Sequence, residues 1–146
     1  MEIYIYYIFY RNISGAAVMT SKAALLQVDP QVERKVLTKA TLQAAALLGI
    51  THSHLAKIIG VSPATVSRMN KATYLLDHAR KEWELALLFV RLFRALDSIT
   101  AGRAADAQAW LFSPNHALAG HPAEMLGNVL GLVNVIDYLD SVRGRV

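Results

Sequence analysis

Two histidines, His116 and His121, stand five residues apart in the stretch "AWLFSPNHALAGHPAEML", Ala109 to Leu126, and Glu124 follows three positions later. Imidazole and carboxylate groups are the usual equipment of acid–base catalysis and of metal binding, so chemistry is sought here first. The spacing supports neither. Two imidazoles share a helix face at a separation of about four residues; these do not, and Pro122 stands between His121 and Glu124. The chain has no cysteine, which excludes thiolate zinc sites, disulfides and a cysteine nucleophile and makes a reducing cytoplasm its natural compartment. His52 and His54 fall on different sides of a helix. There is no G-x-S-x-G, no phosphate-binding G-x-x-x-x-G-K-[ST] and no G-x-G-x-x-G. A small enzyme built on the His116/His121 loop is therefore the weakest reading. Each histidine reads as a surface or capping group, and the chain as a non-enzyme that needs no cofactor or metal.

What the stretch does carry is punctuation. Trp110, Leu111 and Phe112 close a helix on large apolar side chains. Pro114 pushes the residue before it out of the α region. Leu118 is placed to pack back, Gly120 permits a sharp reversal, and Pro122 suits the first turn of a new helix. Met125 and Leu126 then face inward. The expectation is a bent helical corner that presents a surface.

The elements that must hold this corner are helical from Val32 onward. "VERKVLTKATLQAAALLG" places Val36, Leu37, Ala40, Ala44, Leu47 and Leu48 at three- and four-residue spacings, with Gly49 as a stop. "THSHLAKIIG" is a short helix capped by Thr51 and ended by Gly60. "SPATVSRMNKA" starts with Ser62 as cap and Pro63 at the first helical position. A long helix is expected over 77–99. Its apolar stripe is wider than one neighbouring layer requires, so it is either central to its domain or part of an oligomer or partner interface. Ala101-Gly102 breaks it. "RAADAQAWLF", the corner, and two closing helices, "PAEMLGNVLG" and "LVNVIDYLDSVR", follow. No apolar run reaches the roughly 18 residues of a membrane span.

The start, "MEIYIYYIFYRNISGAAVM", is aromatic and β-branched and reads as a strand. Glu2 stands where a signal peptide would be basic. Residues 1–18 are expected to be an extension of the gene prediction ahead of a true start at Met19.

The net charge of +4 is unevenly placed. Between Lys35 and Tyr74 there is no Asp or Glu, while Lys35, Lys39, Lys57, Arg68 and Lys71 all fall there. From Leu75 to Val146 seven basic residues meet eight acidic ones. A basic segment beside a balanced one suits a nucleic-acid-binding module joined to something else.

Within the basic segment, "HSHLAKIIGVSPATVSRMNK" has the phase of a helix-turn-helix. Ala56 is the small residue where the helices cross, and Gly60 tolerates the positive φ of the turn. Val61, Val66 and Met69 face Leu55 and Ile59. The outer face of the second helix is then expected to carry Ala64, Thr65, Ser67, Arg68 and Lys71 into a major groove. Ser62 and the free N–H groups beside it suit a phosphate, as do Lys57 and Lys71. The plainer reading of each lysine is a solvated charge, and of the motif a structural hairpin. One such module covers a half-site, which implies at least a homodimer on double-stranded operator DNA.

The order W-L, P-N, L, G, P, L over Trp110 to Leu126, continued by a final helix and the tail "SVRGRV", resembles the C-terminal toxin-binding domain of Xre/MbcA/ParS-type antitoxins. The helix-turn-helix and the long helix with "EWELALLFVRLF" complete the same order of parts. Ala119-Gly120 stands where that family often has paired glycines. The resemblance implies an all-α chain in three parts. They are an extension over 1–31, a DNA-binding helix-turn-helix over 32–76 and, joined through the long helix, a small helical toxin-binding domain over 77–146. It implies a cognate RES-type, NAD-degrading toxin as partner, an active site covered by the C-terminal domain, and repression of the antitoxin's own operon. Trp110 and Asn115 in the corner, and Arg143, Gly144 and Arg145 in the tail, would serve the toxin contact. A frayed, solvated end is the plainer reading of the two arginines. The rival is a stand-alone helix-turn-helix regulator whose C-terminal half only dimerises.

Overall fold

In the computed structural model, which describes residues 29–144, Asp29 caps the first helix by accepting the Gln31 N–H at 2.9 Å. Seven helices follow among the described residues: α1 Pro30–Leu47, α2 His52–Ile59, α3 Pro63–Asn70, α4 Lys81–Ile99, α5 Ala104–Phe112, α6 Pro122–Met125 and α7 Val129–Arg143. The fold is all-α. The expected N-terminal strand, the Met19 start and Arg145 lie outside the described residues.

α4 is the spine. It packs against α1 and α2 and most extensively against α7. Ala86, Phe89, Leu92 and Leu96 are fully buried, and Trp83, Val90 and Ala95 nearly so. Each large apolar side chain so buried contributes about 1.5–3 kcal/mol. Leu85, Leu87, Leu88 and Phe93 are half-buried and pack on the same core. Of the two expectations for this helix, the central one holds. Its own chain covers Phe89, Leu92 and Leu96 of the wide stripe, while Leu85, Leu87, Leu88 and Phe93 keep part of their surface exposed.

The helix begins at Lys81, later than the expected residue 77. Residues 75–78 are instead strapped to α1. Arg34 Nε donates to Leu76 O at 2.8 Å, and its Nη2 reaches Leu75 O at 3.3 Å and the Asp77 carboxylate at 3.5 Å. Thr38 Oγ1 accepts the Leu76 N–H at 3.0 Å while donating to Arg34 O at 2.7 Å. His78 meets the buried Glu33 carboxylate at 2.8 Å and lies on the Trp83 ring, centroids 3.8 Å apart. The Asp77 carboxyl is held below its ordinary value of 3.8, first by the Ala79 N–H and then by the Arg34 charge. Backbone polar groups claimed by α1 side chains are unavailable to a helix, so α4 starts after them.

The corner also departs from expectation. The first closing helix ends at Met125, because Asn128 caps α7 by accepting the Gly131 N–H at 2.8 Å. The left-handed residue of the corner is Ala119, φ +54°, and not Gly120.

Candidate functional site

Two regions bring the expected residues together. In the first, α2 and α3 close on Leu55, Ala56, Ile59, Val66 and Met69, all buried. Gly60 takes φ +73° in the turn between them. Ser62 Oγ accepts the Thr65 N–H at 3.1 Å and caps α3, with Pro63 at its first position. Asn70 Nδ2 donates to His52 Nε2 at 2.8 Å, tying the end of α3 to the start of α2. The local sequence thus fixes the angle at which α3 is presented.

Ser62, Ala64, Arg68 and Lys71 are exposed on this side, Ser67 is half-exposed, and Lys57 is exposed at the last turn of α2. Thr65 departs from its expected place on the outer face. It is 8% exposed, and its hydroxyl meets Ser62 Oγ at 2.9 Å and accepts from Arg68 Nη2 at 2.9 Å. One turn before Met69, it belongs to the inner side of α3 and orients neighbours. Asn70 is an exposed residue of α3 that the phase argument did not single out.

A residue outside the motif completes this face. The Tyr74 ring stands under Arg68, 5.5 Å from guanidinium carbon to ring centroid, and its hydroxyl donates to Glu82 Oε1 on α4 at 2.7 Å. Burial, then the bond to Glu82, raises the Tyr74 hydroxyl above its usual pKa of 10.0, so the phenol keeps its proton. No sequence pattern marks Tyr74, because the contact arises from a chain reversal after α3.

In the second region, α5, α6 and α7 enclose the corner. Asn115 Oδ1 accepts the Ala117 and Leu118 N–H groups at 3.0 and 3.2 Å, and the Asn115 and Gly120 backbones pair. His121 Nδ1 lies 3.0 Å from the Phe112 carbonyl oxygen, at the end of α5. Trp110 is half-buried and stacks on Tyr138, centroids 6.1 Å apart. The carboxylate of Asp140 on α7 holds Arg91 of α4 at 2.5 Å and Arg143 at 3.3 Å. Gly144 ends the helix, its N–H on Asp140 O. Trp110 and Asn115 therefore build the corner, while Arg143 is exposed but tethered. No group of three or more His, Cys, Asp or Glu able to hold a metal occurs among the described residues. No described helix is long and apolar enough to cross a membrane.

Sequence reasoning missed an apolar display on this unit. Phe112 is 46% exposed, Val129 55% and Leu130 70%. Val129 and Leu130 hid in a closing helix whose boundary the periodicity misplaced, whereas Phe112 ends α5 where the pattern placed it and only its exposure went unread.

The described fold is thus a helix-turn-helix, acid-free from Lys35 to Tyr74, that leads through a shared helix into a second helical unit. Residues 27–91 match the antitoxin Xre-like helix-turn-helix domain, and residues 95–145 match the antitoxin Xre/MbcA/ParS C-terminal toxin-binding domain. The chain belongs to the Xre/MbcA/ParS-type antitoxins and is not an enzyme. A comparison with curated proteins returned no match.

Proposed function

We propose that this antitoxin neutralises a cognate RES-type, NAD-degrading toxin by covering its active-site entrance, and that it represses its own operon in the cytoplasm through α3. The observation that carries the first half is the toxin-binding-domain match over 95–145, which holds Phe112, Val129 and Leu130. Large apolar side chains at such exposure suit a protein interface. The corner bearing Trp110 and Asn115 sets the shape of the surface. The tail, with Arg143, Gly144 and Arg145, brings cations suited to a pocket that receives a pyrophosphate-bearing ligand.

The second half rests on the exposed Ser62, Ala64, Ser67, Arg68 and Lys71 with Lys57 beside them, in a stretch without acids. Arg68 is assigned to base edges, Lys57 and Lys71 to phosphates. Two copies on two half-sites give the complex its specificity, so the working form is at least a dimer. Residues 32–76 form the DNA-reading unit and 77–146 the toxin-binding one.

Co-expression with the neighbouring reading frame tests the toxin half. The neighbour should arrest growth alone and be harmless with this chain. A neighbour no more toxic in its absence overturns the reading and favours a stand-alone regulator.

A further inference from the structure

We propose that Tyr74 is a positioning residue of the DNA-reading face, clamping the Arg68 guanidinium in the orientation that meets a base edge. The inference rests on the reading that α3 enters the groove. It adds a residue from outside the motif whose contribution is to orientation and so to specificity.

The clamp has two jaws. Thr65 Oγ1 accepts one N–H of Arg68 Nη2 at 2.9 Å, and is itself fixed by Ser62 Oγ at 2.9 Å. The Tyr74 ring lies 5.5 Å from the guanidinium carbon. A ring attracts the cation through its π face and takes up no N–H. Arg68 carries five donors in its plane. With one spent on Thr65, the others stay free for guanine O6 and N7 or for a phosphate. Support from a face and recognition at an edge are thus compatible.

Local structure explains why the ring arrives there. α3 ends at Asn70, Ala72 turns left-handed at φ +55°, and the Thr73 N–H returns to Arg68 O at 2.9 Å. This closure carries the next side chain, Tyr74, back beneath the helix it has just left. The Tyr74 hydroxyl then donates to Glu82 Oε1 at 2.7 Å, anchoring the ring to α4. An arginine in solution samples many rotamers and loses that freedom on binding; one already confined loses less. Since the confinement is directional, it favours the matching base pair over a bare phosphate.

The test measures binding of the full chain to a duplex spanning the region upstream of its own gene and to a scrambled duplex of equal length. Tyr74→Leu should weaken binding to the upstream duplex by about tenfold and to the scrambled one by less than about twofold. Tyr74→Phe, which keeps the ring, should stay within about threefold of wild type. In an Arg68→Ala background, Tyr74→Leu should add less than about twofold, as expected when one residue acts through the other. An equal loss in both backgrounds, or equal losses for Phe and Leu, overturns the clamp; damage to folding would produce the former. If Arg68→Ala itself leaves upstream binding intact, the groove assignment fails and the clamp with it. If Arg68→Ala weakens binding while Tyr74→Leu does not, the clamp alone fails.

Discussion

The backbone of Gly131, in the first turn of α7, runs so close to the end of α6 that a β-carbon there would lie 2.1 Å from the Met125 carbonyl oxygen. On helix propensity alone, alanine would be favoured over glycine by about 1 kcal/mol. The obstruction is backbone and cannot rotate away, so the sign reverses. Gly131→Ala is expected to destabilise by about 2 kcal/mol or more, read as a lower denaturation midpoint. Gly127→Ala is the control: its nearest neighbour is Glu124 O at an ordinary 3.7 Å, and the change should stay within about 0.5 kcal/mol.

The corner offers the opposite case. Ala119 holds φ +54° with a β-carbon in place. Left-handed backbone costs an L-residue about 1–2 kcal/mol. Glycine would remove that strain and return about 0.4–1 kcal/mol as unfolded-chain entropy. Ala119→Gly should therefore raise stability by about 0.5 kcal/mol, visible as a small rise in melting temperature. Gly120→Ala should stabilise by about 0.4–1 kcal/mol through the same entropy, since a β-carbon there meets nothing within 4 Å.

These two positions also show what the sequence discloses. A glycine in a loop suggests a reversal, and here the reversal sits one residue earlier. Composition marks the neighbourhood and backbone geometry chooses the residue. The helix-turn-helix was legible nearly whole, because caps, turn glycine and inner face are all local: Ser62, Gly60, Val66 and Met69 act within a few residues of where they stand. Thr65 lies on the inner side with Met69, four residues on, a spacing outweighed in the sequence by its polar side chain, which suits an outer face. The strap was invisible, since Arg34 and Leu76 are 42 residues apart and nothing local announces their meeting.

The strap makes a prediction at Thr38. Its hydroxyl satisfies the buried Leu76 N–H at 3.0 Å. Thr38→Val keeps the shape and leaves that donor unpaired, a loss of about 1–3 kcal/mol. Thr41 offers a comparison: it is also buried, but its hydroxyl only donates back to Leu37 O within its own helix. Thr41→Val should cost less than Thr38→Val in urea denaturation, because it strands no backbone N–H.

Arg68 and Lys71 should separate the two kinds of DNA contact. Lys71→Ala is expected to weaken upstream and scrambled duplexes alike and to reduce the slope of log K against log salt by about 1. Arg68→Ala should weaken the upstream duplex by about 1–3 kcal/mol and flatten the preference between the two. Both variants should still neutralise the toxin. Loss of neutralisation with Arg68→Ala would mean that the DNA-reading and toxin-binding functions are not divided between the two ends of the chain.

At the other end of the chain, Leu130 and Arg143 predict different failures. Gly131 and Leu132 are held inward on α7, which turns Leu130 outward at 70% exposure. Leu130→Ser removes apolar contact area and no internal packing, so stability should change by less than about 0.5 kcal/mol. The toxin complex should dissociate faster, since losses at an interface fall mostly on the off-rate. Deleting residues 142–146 removes Arg143, one of two guanidiniums on Asp140, while Arg91 remains. The shortened chain should fold and still bind the toxin but inhibit it poorly. Titrating purified toxin with each variant, while following complex mass and NAD loss separately, distinguishes the roles. Full inhibition by the shortened chain would remove the tail from the site, and an unchanged off-rate for Leu130→Ser would remove the start of α7 from the interface.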